Sequence, residues 1–482
     1  MSHNSVLAVD LGAESGRVIR ATLDDAGIHL EDVHRFSNTP VHAQGTLYWD
    51  VLRLWHNIQK GIDSVADTAR SVGVDTWGVD FALLDKDGVL IANPVHYRDK
   101  RNEGMMDWVF DRMPRLQVFQ QTGIQFMQIN GLYGLAAMAK ANSPLLDVAS
   151  TLLTIPDLFN YWLSGSKTCE FTHSTTLQIY NPLENDWARD LLTAVGIPTD
   201  ILTPVVQPGD VIGQYNALDV IVPACHDTGS AVVGVPTTTP NYAYLSSGTW
   251  SLLGIEVDDP IITDASYAAN LTNEGGVYGT YRLLKNIMGL WIAQQCRETW
   301  LNAGQQYSYA ELVELAKLSE PFRSLIDPDH DAFLAHGDMP SRIREYCSRT
   351  NQAIPETAGQ VMRAVFESLA LKYRYVVDLL REIAGQPIER LHIIGGGVQN
   401  ELLCQMTADA LGIEVIAGPV EATALGNAII QFITHGELAN LAEARELLSR
   451  TIVTHTYEPH DTANWEAQYQ RFRHLIESAV IP

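Results

Sequence analysis

Apolar runs that end in small, polar turns recur along this chain, and they predict strands followed by tight hairpins. In SVLAVDLGAESGRVIRATL, the apolar residues 6–9 lead through Asp10 into a glycine-containing turn, and a second strand follows. The pattern returns at residues 241–257, NYAYLSSGTWSLLGIEV. Because about half the chain separates the two hairpins, they predict two domains of related design.

Helical periodicity alternates with further strand signals. Residues 155–165 (IPDLFNYWLSG) carry a proline in the first turn and end at a glycine, and residues 357–385 also end at a glycine. Residues 390–412 predict a strand, a glycine turn and a helix; the strand EVIAGP follows, and then a helix at residues 421–433. This alternation predicts an α/β fold.

The segment VPTTTPN, residues 235–241, is rich in proline and threonine and predicts a domain boundary. We therefore expect an N-terminal domain over residues 1–236, a C-terminal domain over residues 241–440 and a helical tail over residues 441–482 that packs on the domains.

Small residues recur four apart in two predicted helices. Ser230 and Gly234 form one pair, and Ala422 and Gly426 form another. Each pair would lie on one face of its helix. Two interpretations are open: ordinary close helix packing, or a hinge between two lobes.

Composition and charge exclude several classes of protein. The chain has 482 residues, of which 46% are hydrophobic and 18% charged, as in a globular protein of two or three domains. A net charge of −25 argues against nucleic acid and anionic membranes as partners, because both favour clusters of Lys and Arg. The net charge is still compatible with binding of an anionic small ligand if the site supplies backbone N–H groups, cations or Mg²⁺.

The beginning of the chain has no basic, apolar leader, and no run reaches about 18 apolar residues. The five cysteines form no CxxC motif, which is typical of reduced thiols. We expect a cytoplasmic protein; the sequence leaves its oligomeric state open, a monomer included.

Glycine-rich turns leave backbone N–H groups free to bind phosphate oxygens. The two hairpin turns have this character, as does the GGG of residues 395–397, which leads into a helix with Asn400 available to a base or ribose. Each turn alone is equally compatible with the ordinary role of glycine. The chain lacks GxxxxGK[ST] and a GxGxxG that opens a βαβ unit, so neither a P-loop nor a nicotinamide-binding fold is favoured.

Two aspartates stand at predicted element ends. Asp10 ends a buried strand, where a carboxylate is costly unless it is paired, and Mg²⁺ bound through waters would suit it. A turn-forming role is the alternative. Asp227, in ACHDTGSAVVGV, precedes the small-residue helix, where it would ordinarily be an N-cap. His226 makes this cluster more polar than a cap requires.

Two further segments mix aromatic rings with charges. They are residues 74–85 (VDTWGVDFALLD) and residues 95–101 (VHYRDKR), which contain Trp77 and Arg98. The mixture suits a sugar, whose C–H face packs on rings while its hydroxyls bond to charged groups. The alternative is a strand pair with an Arg–Asp pair at the surface.

In combination these motifs resemble the FGGY family of carbohydrate kinases, which belongs to one superfamily with actin and heat-shock chaperones. The resemblance covers residues 5–435 and rests on DLGAESGR, WGVDF, YRD, HDT, SSGTW and GGGVQN. It implies two ribonuclease H-like (actin-like ATPase) domains with an interdomain cleft. The N-terminal domain would bind the sugar, and the C-terminal domain would bind the nucleotide.

The phrases DTWGVDF, YLSSGTWSL, TNEGG, LKNIMGLW and AGPVEATALGN resemble the members of the family that act on L-rhamnulose. This likeness implies transfer of the ATP γ-phosphoryl group to O1 of L-rhamnulose, a step of rhamnose catabolism, with ATP and Mg²⁺ required.

The resemblance also implies roles for single residues, with Asp227 as the catalytic base. The sugar would be held by Trp77, Gly78, Arg98, His226, Asp227, Thr228 and Asn286. ATP would be bound by Ala13, Glu14, Ser15, Gly16, Arg17, Thr249, Gln294, Gly396 and Asn400, and the metal by Asp10. Position 14 departs from the family, which usually has Ser or Thr there, and we expect the Glu14 carboxylate to face away from the phosphates.

Two alternatives stay open. A sibling kinase for L-fuculose, L-ribulose or D-xylulose would share the same machinery. An ATP-driven conformational switch of the actin or chaperone kind belongs to another class, and the HDT cluster argues against it because a switch needs no base aimed at an alcohol. Intact Asp10 and Asp227 argue against a silent sugar sensor.

Overall fold

The computed structural model describes residues 4–478. The first three residues of the predicted N-terminal domain and the last four of the predicted tail lie outside the described residues.

Many short strands and helices precede the predicted domain boundary. The strands are β1 (Ser5–Leu11), β2 (Ser15–Asp24), β3 (Gly27–Ser37), β4 (Val41–Ala43), β5 (Thr46–Tyr48), β6 (Ser71–Thr76), β7 (Phe81–Leu84), β8 (Thr151–Thr154), β9 (Cys169–Glu170), β10 (Tyr180–Asn181), β11 (Asp186–Trp187), β12 (Val205–Val206), β13 (Val211–Tyr215) and β14 (Leu218–Ile221). The helices are α1 (Val51–Asp63), α2 (Met105–Phe110), α3 (Arg115–Thr122), α4 (Gly131–Lys140), α5 (Pro144–Val148), α6 (Ile155–Ser164), α7 (Phe171–Thr176), α8 (Arg189–Ala194) and α9 (Asp227–Val233).

The elements after that boundary continue the numbering. The strands are β15 (Tyr242–Ser247), β16 (Trp250–Val257), β17 (Thr272–Gly275), β18 (Tyr281–Met288), β19 (Arg390–Ile394), β20 (Glu414–Ala417) and β21 (His455–Tyr457). The helices are α10 (Asp264–Ala268), α11 (Trp291–Asn302), α12 (Tyr309–Lys317), α13 (Met339–Arg349), α14 (Ala358–Ala384), α15 (Glu401–Leu411), α16 (Ala422–Thr434), α17 (Leu441–Thr451) and α18 (Thr462–Ser478).

The chain folds as two compact units, and each is assembled from separate stretches of sequence. Unit 1 takes the described residues up to Thr238, together with Glu256–Leu283 and Glu421–Thr451. Unit 2 takes Thr239–Ile255, Leu284–Val420 and the described residues from Ile452 onward.

Unit 1 contains a six-stranded sheet in the order β13-β14-β6-β1-β2-β3. Strand β1 is almost wholly buried, as its apolar run predicts. It pairs with β2 in antiparallel fashion, which sets Asp10 opposite Arg17, and with β6 in parallel fashion, which sets Asp10 beside Asp75. The sheet therefore brings three charged residues to the carboxyl ends of two parallel strands.

A second sheet has the order β17-β18-β16-β15-β19-β20-β21. Strands β15 and β16 form an antiparallel hairpin, and β19 pairs with β15 in parallel, as β6 does with β1. Both sheets thus set a hairpin beside a parallel strand, which confirms the prediction of an α/β fold with two domains of related design. Among the described residues, no helix has the length and apolar character needed to cross a bilayer.

Small residues let α9 and α16 pack closely within unit 1. A Cβ atom at Gly426 would lie 1.7 Å from the carbonyl oxygen of Ser230, and one at Gly234 would lie 2.4 Å from that of Ala422. The four small residues that the sequence singled out therefore form one reciprocal contact. Because both helices belong to unit 1, this contact fits the close-packing interpretation.

Candidate active site

A charged cluster lies at the edge of the unit 1 sheet. Asp10 is buried in β1 rather than in the turn, and its Oδ2 accepts a hydrogen bond of 2.6 Å from Nη2 of Arg17. The other terminal nitrogen of Arg17 donates to Glu421, the residue before α16. One guanidinium therefore joins the first hairpin to the start of a helix 404 residues later.

Burial and neighbouring charges shift the pKa values of the residues in this cluster. Burial raises the pKa of Asp10 above its usual value, and Arg17 partly offsets this, while the negative charge of Asp227 adds to the rise. Burial also raises the pKa of Asp75 well above its usual value, with Asp10 as the next cause. Burial alone would lower the pKa of Arg17, but Asp10 and Glu421 raise it, so this arginine stays charged.

Asp75 is fully buried beside Asp10. Its Oδ2 accepts a hydrogen bond of 2.6 Å from Nδ2 of Asn427 on α16, and its Oδ1 has no hydrogen-bond partner among the described residues. A buried carboxyl with one unpartnered oxygen is unfavourable in its charged form, in line with the rise in its pKa that burial causes.

The Asp227 side chain is partly exposed, with 30% of its surface accessible. The ordinary alternative for Asp227, an N-cap, does not hold, because His226 is the N-cap of α9 and Asp227 is the first helical residue. Its Oδ1 accepts from the backbone N–H of Thr228 at 2.5 Å and from the Thr228 hydroxyl at 3.2 Å. Its Oδ2 has no such partner among the described residues, so one oxygen is fixed and the other is available.

Desolvation raises the pKa of Asp227, and the neighbouring His226, Thr228 and Arg282 oppose the rise. Nε2 of His226 lies 3.4 Å from Oδ1 of Asp227. The result is a partly exposed carboxylate whose basicity is above that of a free aspartate.

Gly78 lies against the His226 ring. A Cβ atom at Gly78 would lie 3.1 Å from Nε2 of His226 and 3.4 Å from the hydroxyl of Thr176. The absence of a side chain at this position therefore leaves the space beside the histidine open.

Trp77 and Arg98, which the sequence predicted to contact the sugar, lie in different surroundings. Trp77 is only 4% exposed, its ring packs on Trp49 at 4.0 Å, and its indole N–H donates to Asp80 Oδ2 at 2.9 Å. A direct contact of Trp77 with sugar stays a prediction. Arg98 lies over the ring of Tyr97, with 5.3 Å from its guanidinium carbon to the ring centre.

The alternative of an Arg–Asp pair at the surface does not hold. Asp99 is 6% exposed, and its Oδ1 accepts from Nε of Arg101 at 3.2 Å, while its Oδ2 accepts from the backbone N–H of Leu47 at 2.7 Å.

The first hairpin turn, residues 12–15, is closed by a backbone hydrogen bond from Gly12 to Ser15. The Glu14 side chain is exposed, and the Glu14 carbonyl accepts from the backbone N–H of Asn38. Ala13 is half-buried and Ser15 exposed, so this turn presents backbone and small side chains. At Gly16 a Cβ would lie 2.4 Å from the Phe36 ring, which explains the need for glycine there.

In unit 2 the second hairpin turn meets two other predicted site segments. The backbone carbonyl of Thr249 accepts from Trp291 N–H at the start of α11, the helix that carries Gln294. A Cβ at Gly397 would lie 2.0 Å from the hydroxyl oxygen of Ser247, whereas Gly396 has open space around it. Gln294 Oε1 is buried and lacks a hydrogen-bond partner among the described residues.

The two remaining predicted residues of unit 2 lie on regular elements. Asn400 caps α15 through a 3.1 Å hydrogen bond from the N–H of Leu403 to its Oδ1. Asn286 lies in β18, half-buried, directly after the buried Lys285. Burial lowers the pKa of Lys285 to about 8.

Sequence reasoning missed Glu421, Glu274 and Arg282. All three are charged residues in otherwise apolar or small-residue surroundings: GPVEATALG, TNEGG and YRLL. A charge inside an apolar strand is a usable signal, because such a charge is costly unless it is paired. The identity of the partner, however, is not readable from the sequence.

Comparison with known proteins gives a match over most of the chain. Residues 5–234 match the family model described as the N-terminal domain of the FGGY family of carbohydrate kinases, and residues 243–435 match its C-terminal domain. The chain is 46% identical to the rhamnulokinase of Bacteroides thetaiotaomicron, over 97% of this chain and 99% of that one. It is 43% identical to the rhamnulokinase of Pectobacterium carotovorum, over 100% and 98% of the two chains.

Solved structures resemble the fold at low sequence identity. The ligand-bound xylulose kinase of Lactobacillus acidophilus aligns with a TM-score of 0.82 at 14% identity, covering 99% of this chain and 98% of that one. Plasmodium falciparum glycerol kinase with ADP aligns with a TM-score of 0.78 at 16% identity, covering 99% of both chains. These likenesses establish the fold.

Proposed function

The chain belongs to the FGGY family of carbohydrate kinases, and from that membership we propose that it transfers the γ-phosphoryl group of ATP to O1 of L-rhamnulose. The products are L-rhamnulose 1-phosphate and ADP. Two lines support the choice of sugar: relatives at 46% and 43% identity bear the name rhamnulokinase, and the motifs around Trp77, Gly78 and Asn286 resemble the members that act on this ketose.

The observation that carries the proposal is the unequal environment of the two Asp227 oxygens. Oδ1 is occupied by donors from Thr228, while Oδ2 of this partly exposed side chain is left for a ligand. A carboxylate held in this way can accept a hydrogen bond from an alcohol and then its proton. Because burial raises its pKa, it is a stronger base than an ordinary aspartate.

The reaction requires alignment and neutralisation of charge more than covalent chemistry, because phosphoryl transfer has a loose transition state. Asp227 orients the sugar hydroxyl through Oδ2 and takes its proton as the hydroxyl oxygen bonds to the γ-phosphorus and ADP leaves. General base catalysis of this kind contributes about 10²–10⁴-fold. His226 and Thr228, which lie beside Asp227, and Gly78, which lies beside His226, would position the ketose.

The first hairpin supports a phosphate site. We assign Ala13, Glu14, Ser15 and Gly16 to it through their backbone; the Glu14 side chain is exposed. Arg17 is already held by two carboxylates, so its guanidinium needs little reorganisation to assist an anionic ligand.

The cluster of Asp10, Asp75 and Asp227 also fits a magnesium ion. Asp10 and Asp75 interact there with Arg17, which Glu421 shares, and the negative charge of Asp227 acts on both aspartates. Within residues 4–478, no three His, Cys, Asp or Glu side chains are grouped to hold an ion unaided. Magnesium in proteins usually has one or two carboxylates, with phosphates and waters as its other ligands. Asp10 would hold it, and the ion would neutralise phosphate charge.

In unit 2, Thr249, Gln294, Gly396 and Asn400 are assigned to ATP, and Asn286 to the sugar. The buried and unpartnered Oε1 of Gln294 supports this, because a nucleotide amino group could satisfy it. The space around Gly396 would likewise admit a ligand against the backbone.

The test is a coupled ATP-consumption assay over L-rhamnulose, L-fuculose, L-ribulose and D-xylulose, with the product's phosphate position read by NMR. We expect the highest kcat/KM with L-rhamnulose and a phosphate on O1. A higher value for another ketose would assign a sibling kinase. ATP hydrolysis with no transfer to any ketose would indicate a conformational switch and overturn the proposal.

The Asp227→Asn variant tests the base within the same assay. It should bind sugar and ATP as the wild type does and lose about 10²-fold or more in kcat. Asp87→Asn, at an exposed position, is the matched control. Near wild-type turnover of Asp227→Asn would remove Asp227 from the proposed role.

A further inference from the structure

Glu274 and Arg282 form a buried ion pair in unit 1. Their side chains are 5% and 1% exposed, and 3.3 Å separates Oε2 of Glu274 from Nη2 of Arg282. Nε of Arg282 donates to the carbonyl of Gly275 at 2.9 Å, which fixes the plane of the guanidinium.

The pair meets His226 at the ring nitrogen that points away from Asp227. Nη2 of Arg282 lies 3.1 Å from Nδ1 of His226, and Oε2 of Glu274 lies 3.3 Å from the same nitrogen. A guanidinium has donors only and keeps its charge in proteins. The hydrogen bond from Arg282 requires Nδ1 as its acceptor and so places the proton of the neutral ring on Nε2, whereas Glu274 alone would favour a proton on Nδ1.

The tautomer matters because Nε2 is the nitrogen that lies 3.4 Å from Oδ1 of Asp227. A protonated Nε2 directs the partly positive hydrogen of its N–H bond toward that oxygen. An unprotonated Nε2 would direct a lone pair toward it and repel it. Together with the two donors of Thr228, the Nε2–H makes Oδ1 the anchored oxygen of the carboxylate.

We propose that Glu274 and Arg282 are positioning residues for phosphoryl transfer: they hold His226 in the Nε2–H tautomer, and His226 in turn keeps Asp227 oriented with Oδ2 toward the sugar hydroxyl. This inference rests on the proposed function and adds two residues that lie behind the site. Glu274 balances the charge of Arg282, which would otherwise be buried without a counter-ion.

Stability alone does not account for the pair. Buried ion pairs are often no more stabilising than apolar residues of similar size, because both charges lose their hydration. Here Arg282 contacts His226, the residue before the proposed base Asp227. This contact gives the ion pair a role besides stability.

Other groups also act on His226 and Asp227, and they bear on the test. The charged and titratable groups around the two residues are Asp10 on β1, Asp75 on β6, His173 on α7, Glu274 on β17 and Arg282 on β18, with Arg17 acting through Asp10. Burial lowers the pKa of His173 to about 3, so this ring is neutral throughout the range of the assay.

The experiment measures kcat and KM across pH for Arg282→Gln, Arg282→Lys and the double variant Glu274→Gln/Arg282→Gln, which leaves no buried charge unpaired. We expect both glutamine variants to lose about 10-fold or more in kcat, a part of the base contribution, with an unchanged KM for ATP. Arg282→Lys keeps a charged donor and should retain more activity than either.

The pH profile separates positioning from a merely structural role. Arg282 and His226 both lower the pKa of Asp227 and so oppose the rise that burial causes. Without Arg282 the pKa of Asp227 should rise further, and the pH dependence of kcat should shift toward higher pH. The matched control is Glu256→Gln/Arg445→Gln, which removes another largely buried pair, with Arg445 bonded to the far end of α9; it should stay within about twofold of wild type in kcat with an unchanged profile.

The result that would overturn the inference is a wild-type kcat and pH profile in both glutamine variants, or an equal loss at every pH. Should Arg282→Gln fail to fold, the double variant and Arg282→Lys decide the question by the same profile. Failure of the proposed function looks different, because then the wild-type protein itself would phosphorylate no ketose of the panel.

Discussion

Replacing Gly426 by alanine tests how far the position of the base depends on the contact between α9 and α16. The added Cβ would lie 1.7 Å from the carbonyl oxygen of Ser230 and 3.1 Å from Cβ of Val233. Since the nearest atom belongs to backbone, no side chain can rotate away. The helices would have to separate by roughly 1–2 Å to restore ordinary contact distances.

Helix propensity favours the substitution and steric overlap opposes it, and we expect the overlap to be the larger effect. Alanine is favoured over glycine inside a helix by about 1 kcal/mol. Overpacking of a close contact costs about 1–3 kcal/mol, and a backbone obstacle places the cost at the upper end. We expect a net destabilisation of about 2 kcal/mol and a fall of about 4–8 °C in the unfolding temperature of unit 1.

Activity should fall as well, because α9 begins with Asp227. A displacement of about 1 Å at the base can cost about 10²-fold in rate. The assay combines a thermal unfolding scan with kcat for L-rhamnulose. Gly134→Ala is the matched control, since the nearest atoms to its Cβ in α4 would be side-chain atoms, the Phe81 ring at 3.3 Å and Asn102 Oδ1 at 3.9 Å; we expect it within about 1 kcal/mol of wild type. A Gly426→Ala protein with wild-type unfolding temperature and kcat would refute the reasoning.

Three further substitutions probe the same cluster and its surroundings. Asp10→Asn should raise the Mg²⁺ concentration needed for half-maximal activity, and an unchanged requirement would place the metal elsewhere. Glu421→Gln should leave Arg17 with one charged partner instead of two and change KM for ATP more than KM for the sugar; equal effects on both would count against the assignment of Arg17 to the phosphates. Burial raises the pKa of Asp80 from 3.8 to about 7, so the folded state holds this proton where the unfolded chain has lost it, and this contribution to stability disappears as the pH rises from about 4 to 7. Urea unfolding at pH 5 and pH 8 should therefore show a smaller loss of stability with rising pH in Asp80→Asn than in wild type, by at most about 3 kcal/mol, and an identical loss would contradict the raised pKa.

Much of the fold could be predicted because the information is local. The hairpins, the helix from residue 155 and the long helix that ends at Gly385 each follow from periodicity and from end residues that neighbouring positions already determine. The family motifs belong to the same kind of information, since each lies in one turn or at one helix start.

The position of Asp227 in its helix shows what a local sequence pattern cannot determine. An aspartate before a small-residue helix is ordinarily an N-cap, but the chain enters the helix one residue earlier, with His226 as the cap. The single-residue shift turns Asp227 from a helix-capping residue into a side chain with one available oxygen.

The amino-acid sequence by itself determined the strands, turns and helices and the two related halves of the chain. It also placed two aspartates at the ends of predicted elements. Only the tertiary structure decided the partners of the buried charges. Arg17 meets Glu421 across 404 residues, and Arg282 meets His226 across 56. A charge in a sequence shows that a partner is required, because an unpaired buried charge is too costly to retain. Which residue becomes that partner depends on how distant strands and helices pack, and no local pattern encodes that.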